Sequence, residues 1–167
     1  MKNKKSLPVL LALAVSFLLL LLLRPTLFVT GADGIVAVLP CRPHLPLTIR
    51  FLHSVQKTPV EENLIVNDAM NGFVLQSTRY QSFGVGLPFL ASEGDFYHDG
   101  NYFVMDMERF FPALTLRTGV GTQLTLTVDG REYRLHEKLP PGSRIDLLIA
   151  PYYQRFMLKD ESLCKKI

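Results

Sequence analysis

The stretch that decides the fold class is residues 123–136, which read QLTLTVDGREYRLH. Apolar and polar side chains alternate on both sides of Asp129-Gly130, and an Asp-Gly pair between two alternating runs is a strong signal for a β-hairpin. On the apolar face the facing pairs are Val128 with Arg131, Leu126 with Tyr133, and Leu124 with Leu135. A slip of one residue would mix the two faces, so the pattern also predicts the register.

The rest of the chain after Gly31 follows the same period of two residues rather than a helical period. Further strand candidates are residues 35–39, 47–53, 64–66, 73–80, 102–107 and 145–149. Short strands with Gly and Pro between them predict an all-β fold, a small antiparallel sandwich or barrel. We divide the chain into an N-terminal membrane segment (1–30), an extracytoplasmic β domain (31–150) and a C-terminal tail (151–167).

The N-terminal segment predicts membrane attachment. An apolar run from Leu7 to Leu23 follows three lysines, and at about 1.5 Å per residue it spans roughly 25 Å, close to the apolar thickness of a bilayer. The positive flank predicts a cytoplasmic N-terminus with the domain outside, in a single-pass cell-membrane protein. The alternative is a signal peptide cleaved between Gly31 and Ala32, which would release a secreted or periplasmic domain.

Charge and cysteine content narrow the functional classes. The net charge is +3, but four of the 18 basic residues lie in residues 1–24, which leaves 14 against 15 acidic residues. The domain therefore lacks the basic balance expected for nucleic-acid binding. Cys41 and Cys164 match no zinc spacing, and in an oxidising compartment they can form a disulfide or remain one buried and one exposed thiol.

Two polar stretches are candidates for function. The first, residues 53–62, reads HSVQKTPVEE, and the second, residues 78–88, reads TRYQSFGVGLP. Together they supply our candidate ligand-binding or partner-binding residues: His53, Ser54, Thr58, Glu62, Arg79, Ser82, Gly84 and Gly86. We expect no catalytic residue, metal ligand or cofactor among them. The Gly-x-Gly segment has no following lysine, which a nucleotide-binding loop would have.

These stretches carry a resemblance to a known family. The segments 53–55 (HSV), Glu62, 84–88 (GVGLP) and 117–119 (RTG) are similar to the motifs of an uncharacterised bacterial family, domain of unknown function 1850. The resemblance extends over most of residues 35–150. Members are usually small exported or membrane-anchored proteins, often encoded beside transporters of the TRAP type, in particular the TAXI class. The resemblance therefore implies a transport accessory protein, and it implies no catalytic residue.

The residues also leave other interpretations open. His53 and Ser54 are neighbours on a strand and point to opposite faces, so they form a poor base and nucleophile pair. His53, Glu62 and His98 are of the right types for a metal but match no local spacing. His53 and Glu62 can instead hydrogen-bond across the turn or cap loop backbone. Arg79 can bind a carboxylate or pair with Glu62.

Three functional hypotheses follow. The first is a membrane-tethered, non-enzymatic accessory protein that binds a transporter membrane subunit or a solute-binding protein. The second is an independent module that binds a small organic anion at a polar face around His53, Glu62 and Arg79. The third is a metal-assisted enzyme.

Overall fold

The computed structural model describes residues 6–32, 34–82, 87–88, 90 and 92–158. Its elements in chain order are α1 (Ser6–Leu23), β1 (Pro25–Gly31), β2 (Gly34–Pro40), β3 (Pro46–Leu52), β4 (Pro59–Val66), β5 (Phe73–Tyr80), β6 (Asp95–Asp99), β7 (Tyr102–Phe111), β8 (Ala113–Arg117), β9 (Thr125–Val128), β10 (Arg131–Arg134), α2 (Leu135–Lys138), β11 (Arg144–Pro151) and α3 (Gln154–Leu158).

Two antiparallel sheets of unequal width build the domain. The narrow sheet has the order β2-β1-β11-β8, and the wide sheet has the order β10-β9-β3-β4-β5-β7-β6. One hydrophobic cluster draws from both sheets, with Leu27 and Leu147 from the narrow sheet and Ile49 and Leu126 from the wide one. The fold is thus all-β, as the sequence predicts. Of the two predicted architectures, a sandwich or a barrel, the structure has the sandwich.

The predicted hairpin is confirmed in its register. Arg131 pairs with Val128, and Tyr133 pairs with Leu126, while Asp129 at the turn has a positive φ of 49°. The second strand ends earlier than predicted, because Leu135 begins the short helix α2. Leu135 is nevertheless fully buried, so its assignment to the apolar face is confirmed.

Three strands have no counterpart among the strands predicted from sequence. β1 lies in the segment assigned to the membrane anchor, yet Leu27, Phe28 and Val29 are all buried. β6 is exposed along its whole length, so no apolar alternation marks it in the sequence. β8 alternates between exposed and half-buried residues and forms one edge of the narrow sheet.

The N-terminal helix α1 presents apolar side chains to the outside. Its exposed residues include Val9, Phe17 and Leu20, the last with 71% of its surface accessible. Among the described residues, no helix meets the length and apolarity required of a membrane span. The C-terminal end of α1 is joined to the sandwich by hydrogen bonds from Tyr153 N to Leu22 O and from Tyr152 N to Arg24 O, both 3.0 Å.

Candidate functional site

The turn between β3 and β4 is organised by His53, which is buried. The Nδ1 atom of its ring accepts hydrogen bonds from the backbone N–H of Val55 (3.3 Å) and Gln56 (3.2 Å). The backbone of His53 closes the same turn through its N–H to Thr58 O and its carbonyl to Lys57 N, both 2.9 Å. The His53 ring therefore caps loop backbone, one of the roles that the sequence suggests.

Ser54, next in the chain, is exposed. The Nδ1 of the buried His53 ring faces the backbone amides of Val55 and Gln56 rather than the Ser54 hydroxyl. Within the part of the chain that the structure describes, no three His, Cys, Asp or Glu side chains converge as metal ligands would. His98, the third residue of the metal hypothesis, packs edge-on against the ring of Phe103 at 4.7 Å.

A hydroxyl pair connects the His53 turn to the next loop. Thr58 Oγ1 lies 2.9 Å from Ser82 Oγ, so two of the predicted site residues are brought together. The loop that follows returns to β5, because the hydroxyl of Tyr80 donates to the carbonyl of Pro88. Gly84 and Gly86 lie outside the described residues.

The segment 117–119 is held by a second buried polar group, Thr118, which the sequence marks only as part of a family motif. Its Oγ1 donates to Pro140 O (2.6 Å) and accepts from Ser143 N (2.9 Å). Its backbone also exchanges hydrogen bonds with Gly142 and Ser143. Thr118 therefore joins the Arg-Thr-Gly segment to the Pro-Pro-Gly turn before β11.

These loops lie at one end of the sandwich. In the narrow sheet Pro25 pairs with Pro151 beside α1, whereas Arg117 pairs with Arg144 at the other end. The wide sheet is connected to that second end by the hydrogen bond from Leu52 N to Thr122 O, 2.6 Å. We call this region, residues 53–58, 82, 117–122 and 140–143, the motif end. It is the end opposite to α1.

Glu62 and Arg79 do not share a face of the wide sheet. Glu62 pairs with Thr78, which is buried, whereas Arg79 pairs with Glu61 on the outer face. There the guanidinium of Arg79 binds Asp99 at 2.8 Å. The polar face expected around His53, Glu62 and Arg79 is therefore not assembled, because side chains alternate along a strand and Arg79 has another partner.

Glu62 also lies apart from His53. It pairs with Ile49 on β3, four residues before His53, so the two do not hydrogen-bond across the turn. Its side chain belongs to the inward row of β4 with Val60 and Leu64, which are buried. Burial raises the pKa of the Glu62 carboxyl above its ordinary value, because desolvation disfavours the charged form.

Cys41 is half-buried just after β2, and burial likewise raises the pKa of its thiol. Cys164 lies outside the described residues, and so does the disulfide expected between the two.

The protein is thus of the class of small two-sheet β sandwiches that follow an N-terminal helix. Its polar motif loops lie together at the end of the sandwich opposite to that helix. The family model described as "Domain of unknown function (DUF1850)" matches residues 47–135, more than half of the 167 residues. The chain therefore belongs to this family, as the sequence motifs indicate. No curated protein and no solved structure matches it.

Proposed function

We propose that the protein is a membrane-tethered, extracytoplasmic, non-enzymatic accessory protein that assists a solute transporter of the TRAP type, TAXI class. The observation that carries the proposal is the placement of α1 and the motif end at opposite ends of the sandwich. A domain built in this way holds its motif loops away from the bilayer, where a transporter subunit or a solute-binding protein is within reach.

The apolar surface of α1 supports the tether. Leu18, Leu20 and Leu23 expose more than half of their surface, and the domain offers them no covering layer among the described residues. Exposed apolar area of this density is stable only when lipid or a partner covers it. Three lysines before the helix favour a cytoplasmic N-terminus.

The position of β1 supports a tether that is retained rather than cleaved. Cleavage between Gly31 and Ala32 would separate β1 from the domain, although this strand pairs with both β2 and β11. It would remove Leu27, Phe28 and Val29 from the core, and burial of one large apolar side chain contributes roughly 1.5–3 kcal/mol.

The motif end supports a partner role because it exposes apolar side chains at the tips of two joined loops. Val55 is 74% exposed and Val120 is 83% exposed. The hydrogen bond between Leu52 and Thr122 joins the two loops at their bases. Apolar tips on well-anchored loops lose little conformational entropy when they bind.

A site-specific crosslinking experiment in the native host tests the proposal. A photo-crosslinking amino acid at Val55 or Val120 of the full-length chain is expected to capture a TRAP transporter subunit or its solute-binding protein. The matched control is Asp68, which is exposed beyond the opposite end of β4. Capture of the same subunits at Asp68 and Val55, or of no transporter component at either valine, would contradict the proposed orientation and role.

A fractionation experiment tests the tether and the retained β1 separately. The full-length protein is expected in the membrane fraction, with the domain degraded by protease added to spheroplasts. N-terminal sequencing should find α1 still attached to the mature chain. A soluble periplasmic product that begins at Ala32 would exclude the retained tether.

A further inference from the structure

The unequal widths of the two sheets leave a cleft beside β8. This strand is an edge of the narrow sheet, and it pairs with β11 alone among the described strands. Beneath it lies a cavity of about 300 Å³ between β8, the strands β3 and β4, and the segment that leads into β9. Its apolar wall includes Ile49, Phe51, Leu116 and Leu124. A volume of this size is at the lower end of small-molecule sites.

Glu62 is the acidic group that faces this cavity. It also lines a second cavity of about 600 Å³ beside it, whose wall includes Thr78 and Met107. No described residue forms a hydrogen bond or an ion pair with the Glu62 carboxylate. Glu62 is half-buried, so its carboxylate has lost part of its hydration and no described residue replaces it, which lowers stability. A cationic ligand would give the Glu62 carboxylate a partner and would so stabilise the folded protein.

The charged groups that line the two cavities beside Glu62 carry a small excess of negative charge, which favours a cation. Arg117 lines the first cavity, but its Nη1 donates to the carbonyl of Gly142 at 3.4 Å. Glu93, Glu108 and Arg109 line the second cavity, and the guanidinium of Arg109 lies 5.3 Å from the ring centre of Phe111. Together the two cavities are lined by three carboxylates and two guanidinium groups, an excess of one negative charge.

We propose that the β8 cleft binds an alkylammonium group, with the cation at Glu62 and the alkyl stem along Ile49, Leu116 and Leu124. Two sources supply this chemistry. One is a free aliphatic amine, and the other is a lysine side chain on an extended peptide that pairs with the open edge of β8, as in strand addition. The proposal does not depend on the transporter role, because it concerns binding by the purified chain.

The chain offers a closely matched pair of variants for the test. Glu62→Gln keeps the shape of the side chain and removes its charge. Glu61→Gln makes the same change one residue earlier, on the outer face, where Glu61 lies 3.6 Å from Arg50. Leu116→Phe narrows the cavity from the opposite sheet and leaves every charge in place.

Binding is measured on the full-length protein in detergent, by thermal shift and calorimetry at constant ionic strength. The probes are n-butylamine, n-butanol and butyrate. We expect n-butylamine to stabilise the protein with a Kd of the order of 1 mM. Glu62→Gln and Leu116→Phe should weaken this binding at least about tenfold, whereas Glu61→Gln should leave it unchanged.

A second pair of probes distinguishes the two sources. An extended pentapeptide with a central lysine is compared with the same peptide carrying norleucine. Binding of the lysine peptide but not of n-butylamine would assign the cleft to a peptide, and binding of both would assign it to free amines as well. Equal binding of n-butanol and n-butylamine, unchanged binding by Glu62→Gln, or no binding of any amine probe would overturn the proposal.

Discussion

The motif end and the β8 cleft differ in whether their inward-facing polar side chains have protein partners. At the motif end, His53 and Thr118 are buried and each bonds several backbone groups of its own loops. In the β8 cleft, Glu62 faces inward and bonds no described residue. Buried polar groups that bond their own loops shape those loops, whereas a half-buried carboxylate that faces a cavity without a described partner is a candidate ligand-binding group. Although all three residues belong to the family motifs, His53 and Thr118 therefore stabilise loops, whereas Glu62 is the candidate ligand-binding residue.

The largest effect is expected from Thr118→Val, which removes the hydroxyl and keeps the shape. The change breaks the bonds to Pro140 O and Ser143 N and leaves both groups without that partner. We expect a loss of about 2–3 kcal/mol in the free energy of unfolding, measured by urea titration of the full-length protein in detergent. Thr118→Ser, which keeps the hydroxyl, should lose less. Equal losses would assign the effect to packing.

A smaller loss is expected from His53→Ala, at about 1–2 kcal/mol, which is the range for removal of a side chain that caps backbone amides. The amides of Val55 and Gln56 lie in an exposed turn, so water replaces part of the cap. Urea titration measures the loss, and His53→Asn is the control because Asn also caps turns of this kind. A His53→Ala variant as stable as the wild type would remove the scaffold role that we assign to this ring.

At Glu62 we expect a substitution to increase the free energy of unfolding rather than to decrease it. Glu62→Gln should raise the free energy of unfolding at pH 7 by about 1 kcal/mol, because a neutral amide costs less to bury than an unpaired carboxylate. The measurement is the same urea titration. A loss of stability on this substitution would show that the carboxylate has a stabilising partner in the folded protein, as His53 and Thr118 have at the motif end.

The pH dependence sharpens the same comparison. Burial places the pKa of folded Glu62 above its ordinary value of 4.5, so the folded state binds more protons than the unfolded state between those two values. The contribution of Glu62 to stability is therefore greatest below pH 4.5 and is lost as the pH rises through the folded pKa. The advantage of Glu62→Gln over the wild type should grow over that window. An advantage that does not change with pH would contradict the assigned shift.

The smallest effect is expected at Glu61. Its ion pair with Arg50 is partly exposed and 3.6 Å long, and pairs of this kind contribute about 0–1 kcal/mol. Glu61→Gln should change the free energy of unfolding by less than about 0.5 kcal/mol. A change as large as that of Glu62→Gln would show that both faces of β4 are equally sensitive to charge.

Much of the strand pattern can be read from local sequence. Residues 73–80 form β5 with the predicted limits, and the hairpin register follows from alternation around Asp129-Gly130. The inward position of Glu62 also has a local signal, since Val60, Leu64 and Val66 take the other positions of the same row and are all buried. We predict a shorter strand there, residues 64–66, and so the signal is missed. β1 is missed because the short apolar segment after Arg24-Pro25 is assigned to the membrane segment rather than to the domain.

By itself, the sequence determined the period of two, the hairpin, the apolar N-terminal run and the family motifs, because each depends on residues close together in the chain. Only the tertiary structure decided that the motif loops meet at the end opposite to α1, that Arg79 binds Asp99 rather than Glu62, and that Glu62 faces a cleft. Those relations depend on strand order and on the unequal widths of the two sheets. Alternation along one strand places a side chain on a face, but it does not identify what lies across from that face.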